Sequence, residues 1–457
     1  MQLLIIGGSD AGISAALRAR EVDPSAEVTV LLDDDFTNYS ICGLPFYLSG
    51  ETPDWHSLAH RTEFEGIAIR RGHRATRIHT AAWTVEVQSD RVGACSFHYD
   101  KLLIGTGAGP VRPHVQGCGL PGVFPLHTMK DSFAVSEYLE KVKPGRAVIV
   151  GAGYIGLEMA DALTHRGIEV TIASRTPTVL ATVDQEFGSL VRAELEHHDV
   201  KVETGVEVHR IEQAGDHLHV VGSNGFEQEC EMVLITVGVK PHSELGVTAG
   251  LKTGTKGALL TNRKMETEDP HIYVAGDCGE TWHRILSRYT YLPLGTTAHR
   301  QGRTAGENAV GGNREFSGSL GTQVVKIFDL VIARTGLRHD EALAESFRPF
   351  TVESTVNDHK AYYPGASPLT IRVTGDFATG RLLGAQVLGR WGAEISKRLD
   401  IFATGLFHEM SVEQLSDLDL SYTPPLSSPW DPVQMAAQQW SRSLGKSKTE
   451  AIKAGHE

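Results

Sequence analysis

Two stretches of this chain share one pattern of apolar and polar positions. Leu3-Leu4-Ile5-Ile6 is a short unbroken apolar run that ends in Gly7-Gly8-Ser9-Asp10-Ala11-Gly12. Ala147-Val148-Ile149-Val150 is a second such run, and it ends in Gly151-Ala152-Gly153-Tyr154-Ile155-Gly156. After each glycine turn the apolar residues recur with a helical period, over 14–21 and 157–166, and then gather into β-rich runs at 27–32 and 169–173. Short apolar runs bounded by turn residues suit strands buried on both faces of a parallel sheet. The pattern therefore predicts strand, glycine turn, helix and strand, twice over. One glycine turn of this kind says little, but two in the same context predict two dinucleotide sites.

The repeat continues. Residues 101–104 run into Gly105-Thr106-Gly107-Ala108, and 232–236 run into Val237-Gly238-Val239, each as a buried strand closed by a glycine turn. A further apolar run, 272–275, ends in Gly276-Asp277-Cys278. It follows the second unit, so it is expected to return to the first sheet. From Gly321 the character changes to strands at 324–328, 369–373 and 382–388 with helical patterns near 394–403 and 412–415. The predicted fold is α/β: two Rossmann-like dinucleotide-binding domains, the second inserted in the first, plus a C-terminal α+β domain. The expected boundaries are 1–115 with 245–320 for the first domain, 116–244 for the second and 321–442 for the third. The polar tail, 443–457, is expected to fray.

Composition narrows the function. A chain of 457 residues with 41% hydrophobic and 22% charged residues is long and apolar enough for about three packed domains. A net charge of −13 argues against a nucleic-acid surface, which needs clustered Lys and Arg. The five cysteines, Cys42, Cys95, Cys118, Cys230 and Cys278, fall in no zinc-ligand spacing and build no disulfide framework, so a reducing cytoplasm is expected and no metal. Met1 leads straight into an apolar strand without a basic leader, and no apolar run reaches the ~20 residues of a membrane span.

Several residues carry chemistry. In the first turn Gly7, Ser9 and Gly12 are small enough for a pyrophosphate to reach the following helix N-terminus, where free N–H groups and the helix dipole favour anions. An acid about 20 residues further on should hold a ribose diol, and Asp33 is placed to do so. In the second turn Gly151, Gly153, Tyr154, Ile155 and Gly156 repeat the cradle, but the next strand ends in Ser174-Arg175 with no carboxylate. A cation and a hydroxyl there suit a 2′-phosphate, so NADPH is expected over NADH. Glu158 falls in the first turn of the helix, towards the nicotinamide end. Cys42 heads Cys42-Gly43-Leu44-Pro45-Phe46-Tyr47, which reads as a helix start with Pro in its first turn. A free thiol has a pKa near 8.5, and the helix start is expected to help lower it.

These residues resemble the flavoprotein disulfide reductases with two dinucleotide sites. Within them the chain is most similar to the single-cysteine branch of coenzyme A-disulfide reductases, NADH-dependent persulfide reductases and NADH oxidases or peroxidases. The likeness covers about 1–440. It rests on the Cys42–Tyr47 motif, Thr106-Gly107-Ala108, Ala275-Gly276-Asp277-Cys278, Tyr291-Leu292-Pro293-Leu294-Gly295-Thr296-Thr297-Ala298, Tyr362-Tyr363-Pro364-Gly365-Ala366 and Tyr422-Thr423-Pro424-Pro425. The resemblance implies an FAD-dependent NAD(P)H oxidoreductase with a C-terminal dimerisation domain. Asp277 would hold the ribityl chain and pyrophosphate of FAD, with Thr106 and Gly107 nearby. Pro293, Leu294, Gly295, Thr296 and Ala298 would meet the flavin ring, and Gly238 would close the nicotinamide half. Cys42 would alternate between thiolate and a mixed disulfide with a small thiol such as coenzyme A. In a homodimer Tyr422 and one of Tyr362 and Tyr363, with Tyr363 favoured, would help protonate the leaving thiol across the interface.

The departures are informative. Tyr47 stands where dithiol members carry a second Cys, and the resemblance identifies no counterpart of the dithiol members' catalytic His-Glu pair. Asp10 replaces the His of the peroxidase and oxidase members, and Leu32 stands where the ribose acid aligns. Asn38-Tyr39-Ser40-Ile41 also differs from the usual run before the cysteine, and no rhodanese-like domain is expected after Tyr422. The function expected is reduction of a small-molecule disulfide or persulfide, with an NAD(P)H oxidase working through a Cys42 sulfenic acid as the alternative and a low-turnover flavin sensor behind it.

Overall fold

The computed structural model describes residues 1–454, with side chains through Glu450. Gln2–Ile6 is the centre of a five-stranded parallel sheet in the order Ile272–Val274, Lys101–Ile104, Gln2–Ile6, Glu27–Leu31, Ile67–Arg70. Arg146–Val150 occupies the same central place in a second parallel sheet, in the order Lys201–Thr204, Glu169–Ser174, Arg146–Val150, Met232–Ile235, Val123–Pro125. The central strands are apolar at nearly every position and buried on both faces, as parallel strands flanked by helices must be. In both sheets the chain reverses its direction of growth beside the central strand, which opens a crevice at the strand ends.

The helices begin earlier than the apolar period alone suggests. Helix α1 (Asp10–Val22) starts inside the first glycine turn. A six-residue helix, α2 (Leu44–Ser49), follows the Cys42 turn, and α3 (Met129–Val142) leads into the second sheet. Helix α4 (Tyr154–His165) starts inside the second glycine turn. The start is tight: a Cβ on Gly12 would stand 1.9 Å from the Gly7 carbonyl oxygen, and one on Gly156 would stand 2.1 Å from that of Gly151. Helix α1 packs along the helix Gly295–Ala309.

The C-terminal part is a five-stranded antiparallel sheet in the order Gln323–Ile327, Leu330–Gly336, Leu382–Arg390, Pro368–Asp376, Pro349–Asn357. The helices Ile395–Phe407 and Pro432–Ala454 cover it, and Trp440 is buried with its indole N–H donating to the Phe350 carbonyl. Residues 443–454 were expected to fray and instead continue that last helix. The polar composition of this stretch marks an exposed helix surface, which composition alone does not separate from a loose tail. Polar contacts, two of them buried and one with an exposed arginine, join this sheet to the second parallel unit. Gln386 donates to the Asp184 carboxylate at 2.7 Å, Arg372 stands 3.0 Å from the same group, and Arg390 pairs with Glu194 at 2.6 Å.

Candidate active site

The first glycine turn presents the N-terminus of α1. Its opening N–H groups have no intrahelical partner, and Ser9, the residue before the helix, makes no side-chain capping bond. The acid expected at Asp33 does not face this turn. Leu32 lies over it instead, so close that a Cβ on Gly8 would stand 2.2 Å from the Leu32 Cδ1 atom. Asp33 is exposed and 3.9 Å from Arg74. The register signal was ambiguous by one residue, and the apolar residue took the inward position.

Gly107 has φ +69 and, among the described residues, no atom within 4 Å of where a Cβ would stand. Its carbonyl accepts from His242, and the Thr106 hydroxyl donates to the His242 carbonyl at 2.6 Å. Asp277 is half-buried. Burial, then the neighbouring Asp10, push its carboxyl up to about 6, while the Leu294 N–H donates to it. Leu294 is the extended residue before the helix Gly295–Ala309, and its carbonyl accepts from Thr297 and Ala298. Pro293 and Thr296 flank this start. Gln301 was missed by the sequence reading. It is fully buried, accepts from the Gly276 N–H at 2.9 Å, and donates to the Glu280 carbonyl and the Thr281 hydroxyl. It locks the Asp277 loop to the helix. Its only signal in the sequence is its place nearly two turns after the Pro-Leu-Gly start. The donor set fits FAD: an open helix N-terminus with a free serine hydroxyl for a pyrophosphate, a glycine with vacant space beside it, and a carboxylate for a polyol.

The second turn offers a matching cradle. Gly153 has an ordinary φ of −88, and no atom of the described residues lies within 4 Å of the place a side-chain carbon would take, so nothing among them requires glycine there. Open space at the start of α4 suits a pyrophosphate. Gly238 has φ +104 and similar open space. Ser174 is buried with its hydroxyl 2.9 Å from that of Thr176, and Arg175 is exposed immediately after the strand. Tyr154 and Ile155 begin α4, and the Tyr154 hydroxyl accepts from Thr182 at 3.2 Å. Burial, with Asp161 one turn further on, pushes Glu158 up to about 7.

The two cradles meet at Cys42. It lies in a 3-10 turn, Ile41–Gly43, that runs into α2, and α2 packs on α4. The turn is pinned from two sides: the Asn38 N–H donates to the Gly8 carbonyl at 3.0 Å, and the Ser40 N–H donates to that of Leu58 at 2.9 Å. Cys42 is a free thiol open to solvent at its mouth. The wall behind it is crowded and acidic. Burial pushes the thiol up, and Glu158, Asp10 and Asp277 push it further. The expectation that the helix start lowers this thiol is therefore corrected. Helix α2 has six residues, too short for a strong dipole, and the backbone N–H at the turn, which does lower the thiol, is outweighed first by burial and then by the three carboxylates. Tyr47, where a second cysteine would stand, turns away from the sulfur: its hydroxyl donates to Ser136 on α3 at 3.2 Å.

The tyrosines lie on loops of the C-terminal unit. Tyr422 is within hydrogen-bonding reach of Tyr362, and burial and then this neighbour push its hydroxyl up. Tyr363, favoured from sequence, instead packs edge-on against His359 at 5.8 Å. Both members of the Tyr362–Tyr422 pair are exposed. Arg398 joins the two loops that carry them, donating to the Asp358 carbonyl at 2.7 Å and the Leu426 carbonyl at 3.1 Å, and pairing with Asp431 at 3.0 Å. No helix among the described residues is long and apolar enough to cross a membrane.

Two parallel units with glycine cradles converging on one sulfur define a two-nucleotide redox protein, and the comparisons place it. The family model for pyridine nucleotide-disulphide oxidoreductases matches residues 1–302, and the model for the dimerisation domain of the same proteins matches 322–432. The chain belongs to this family. It is 34% identical over 444 residues to the NAD(P)H sulfur oxidoreductase (CoA-dependent) of Pyrococcus furiosus, covering 96% of this chain and 98% of that one. It is 28% identical over 441 residues to the coenzyme A disulfide reductase of Staphylococcus haemolyticus, covering 95% and 98%. The solved NAD-dependent persulfide reductase from A. fulgidus superposes with a TM-score of 0.93 at 33% identity, over 97% of this chain and 83% of that one.

Proposed function

We propose that this protein uses NAD(P)H to reduce small-molecule disulfides or persulfides, coenzyme A-based ones included, through Cys42 as its one redox-active sulfur. The observation that carries the reading is the position of Cys42, alone at the junction of both nucleotide cradles with Tyr47 turned away. FAD and NAD(P)H are the cofactors of the family. Bound FAD supplies a two-electron relay between nicotinamide and sulfur. Gly7, Ser9, Gly12, Thr106, Gly107, Asp277 and the stretch Pro293–Ala298 are the residues we assign to holding it. Gly151, Gly153, Tyr154, Ile155, Gly156, Glu158 and Gly238 are assigned to the nicotinamide nucleotide. Exposed Arg175, beside Ser174, favours NADPH through its charge on a 2′-phosphate.

In the cycle the Cys42 thiolate attacks one sulfur of the acceptor, a new S–S bond forms as the old one breaks, and the departing thiolate takes a proton. A hydride equivalent from NAD(P)H then cleaves the mixed disulfide, giving back the Cys42 thiolate and a second free thiol. The exposed Tyr362–Tyr422 pair is a phenol donor with no further hydrogen-bond partner among the described residues. The match to a dimerisation domain supports a homodimer in which each subunit's pair serves the sulfur of the other. The geometry favours Tyr362 over Tyr363 for this role, and Tyr363 as its support. Five free cysteines suit a reducing cytoplasm.

The test is Cys42→Ser. The variant should keep its flavin absorbance and lose NAD(P)H-dependent disulfide reduction to background. A Cys42→Ser enzyme that turns over disulfide at the wild-type rate sinks the reading.

A further inference from the structure

The glycine turn of the second cradle is held from outside its own unit as well as from within. Residues 178–184 follow the strand Glu169–Ser174 and pass the turn as a strap. The Leu180 N–H donates to the Ala152 carbonyl at 2.9 Å, in the middle of Gly151-Ala152-Gly153. Two residues on, the Thr182 hydroxyl donates at 3.2 Å to the hydroxyl of Tyr154, the first residue of α4. Leu180 is 1% exposed and has φ +47, a left-handed backbone that a bulky residue rarely adopts. Such a conformation persists only where its surroundings over-determine it.

The groups that fix the far side of the strap belong to the C-terminal unit. Arg334 is buried on the strand Leu330–Gly336 and donates to the Thr182 carbonyl at 2.6 Å. Its guanidinium also bonds the Gly336 carbonyl at 2.6 Å and grips both oxygens of Glu341 at 3.1 and 2.8 Å, so its direction is set by its own unit. Arg338 donates to the Val183 carbonyl at 3.1 Å. The Asp184 N–H donates to the Gln386 side chain at 2.8 Å. Residues 182, 183 and 184 are thus bonded in succession to the C-terminal unit, while Leu180 and Thr182 are bonded to the nucleotide turn.

We propose that Thr182 and Arg334 are positioning residues for the nicotinamide nucleotide: the C-terminal unit braces the strap, and the strap holds the Gly151–Gly156 turn in the shape that takes a pyrophosphate. The inference rests on the reading of that turn as a nucleotide site. Both residues act through Ala152 and Tyr154 and not by touching the nucleotide. A turn already in its bound shape has less freedom to lose on binding, so the brace shows as affinity. The pyrophosphate is common to NADH and NADPH, so the brace serves both alike, whereas the charge of Arg175 separates them. A hydrogen bond between neutral groups is worth about two- to tenfold in an equilibrium.

The experiment measures binding of NADP+ and NAD+ to the flavin-loaded enzyme by calorimetry. Thr182→Val keeps the side-chain shape and removes the hydroxyl. It should weaken both nucleotides about threefold, and in turnover the loss should lie in KM for the nucleotide and not in kcat. Thr182→Ser should restore the affinity. Tyr154→Phe should weaken binding by a like factor, and the double variant Tyr154→Phe/Thr182→Val by no more than either alone. Arg334→Lys keeps a charge beside Glu341 but loses the fork, and it should weaken both nucleotides as well. Hydrogen exchange at the Leu180 amide should quicken in Thr182→Val and in Arg334→Lys. Unchanged affinity in either of those two variants, or effects of Tyr154→Phe and Thr182→Val that multiply, overturns the proposal and leaves the nucleotide site standing. A wild-type enzyme that binds neither nucleotide overturns the reading of the turn and the proposal with it.

Discussion

Replacing Arg398 by methionine tests how the tyrosine loops are held. Arg398 and Asp431 are each less than a tenth exposed, and they pair at 3.0 Å. Arg398 also donates to the Ala393, Asp358 and Leu426 carbonyls, the last two in the loops that carry Tyr362 and Tyr422. Methionine matches the aliphatic stem but leaves a buried carboxylate without its cation and three carbonyls without their donor. Removing one partner of a buried pair costs about 3–5 kcal/mol. Some of this is softened because Asp431 keeps the Ser427 hydroxyl and the Val433 N–H. The expected loss is about 3 kcal/mol, which lowers Tm by roughly 6–12 °C for a cooperative unit of 150–250 residues. Thermal unfolding at fixed protein concentration reads it, since a dimer's Tm depends on concentration. Disulfide turnover should fall along with it while flavin content stays constant. The double variant Arg398→Met/Asp431→Leu should recover part of the loss, and the cycle gives the coupling. A single variant that unfolds within about 0.5 kcal/mol of wild type, the range of ordinary surface substitutions, refutes the reasoning.

Other outcomes follow from single side chains. Arg175→Ala should lower kcat/KM for NADPH by about tenfold or more, the weight of one charge-assisted contact to a phosphate, and leave NADH nearly unchanged; steady-state kinetics with both nucleotides checks it. Glu158 is pushed up to about 7 in the fold, so its ionisation opposes folding. The stability it allows is full below pH 4.5 and is lost as pH rises towards 7, and Glu158→Gln should flatten Tm across that window in the nucleotide-free protein. His283 runs the other way: burial, then Arg334, lower it to about 4. Its neutral form carries stability that is full above pH 6.5 and lost as pH falls towards 4, and His283→Asn should flatten the acid limb of the same Tm series.

The sheets were legible because parallel strands buried on both faces are written as unbroken apolar runs, and the glycine turns because α1 and α4 cannot begin there with any larger residue at Gly12 or Gly156. The edge strand Pro349–Asn357 and the three-stranded sheets around Thr84–Ser89 and His217–Gly222 escaped notice because their faces alternate with solvent and carry charge. The helix starts slipped by three or four residues, since the period of apolar residues begins only after the small residues of the turn. At the site, residue types announced themselves but directions did not. Asp33 and Leu32 differ by one position, and packing against Gly8 chose the leucine. Tyr362 and Tyr363 are adjacent in sequence, and only the path of the loop from Lys360 to Pro364 decides which meets Tyr422. The field at Cys42 comes from three carboxylates far apart in the chain, which no local motif records.

The place of Ile272–Val274 in the first sheet has a consequence for how the chain is made. That strand pairs with Lys101–Ile104, yet it leaves the ribosome about 170 residues later, some 8–34 seconds at ordinary translation rates. All five strands of the second parallel sheet lie between them in sequence. The unit encoded second can therefore complete its sheet while the one encoded first still waits with Lys101–Ile104 as a bare apolar edge. For that interval the nascent chain carries a surface that chaperones recognise, and slowing synthesis between the two strands should lengthen its exposure.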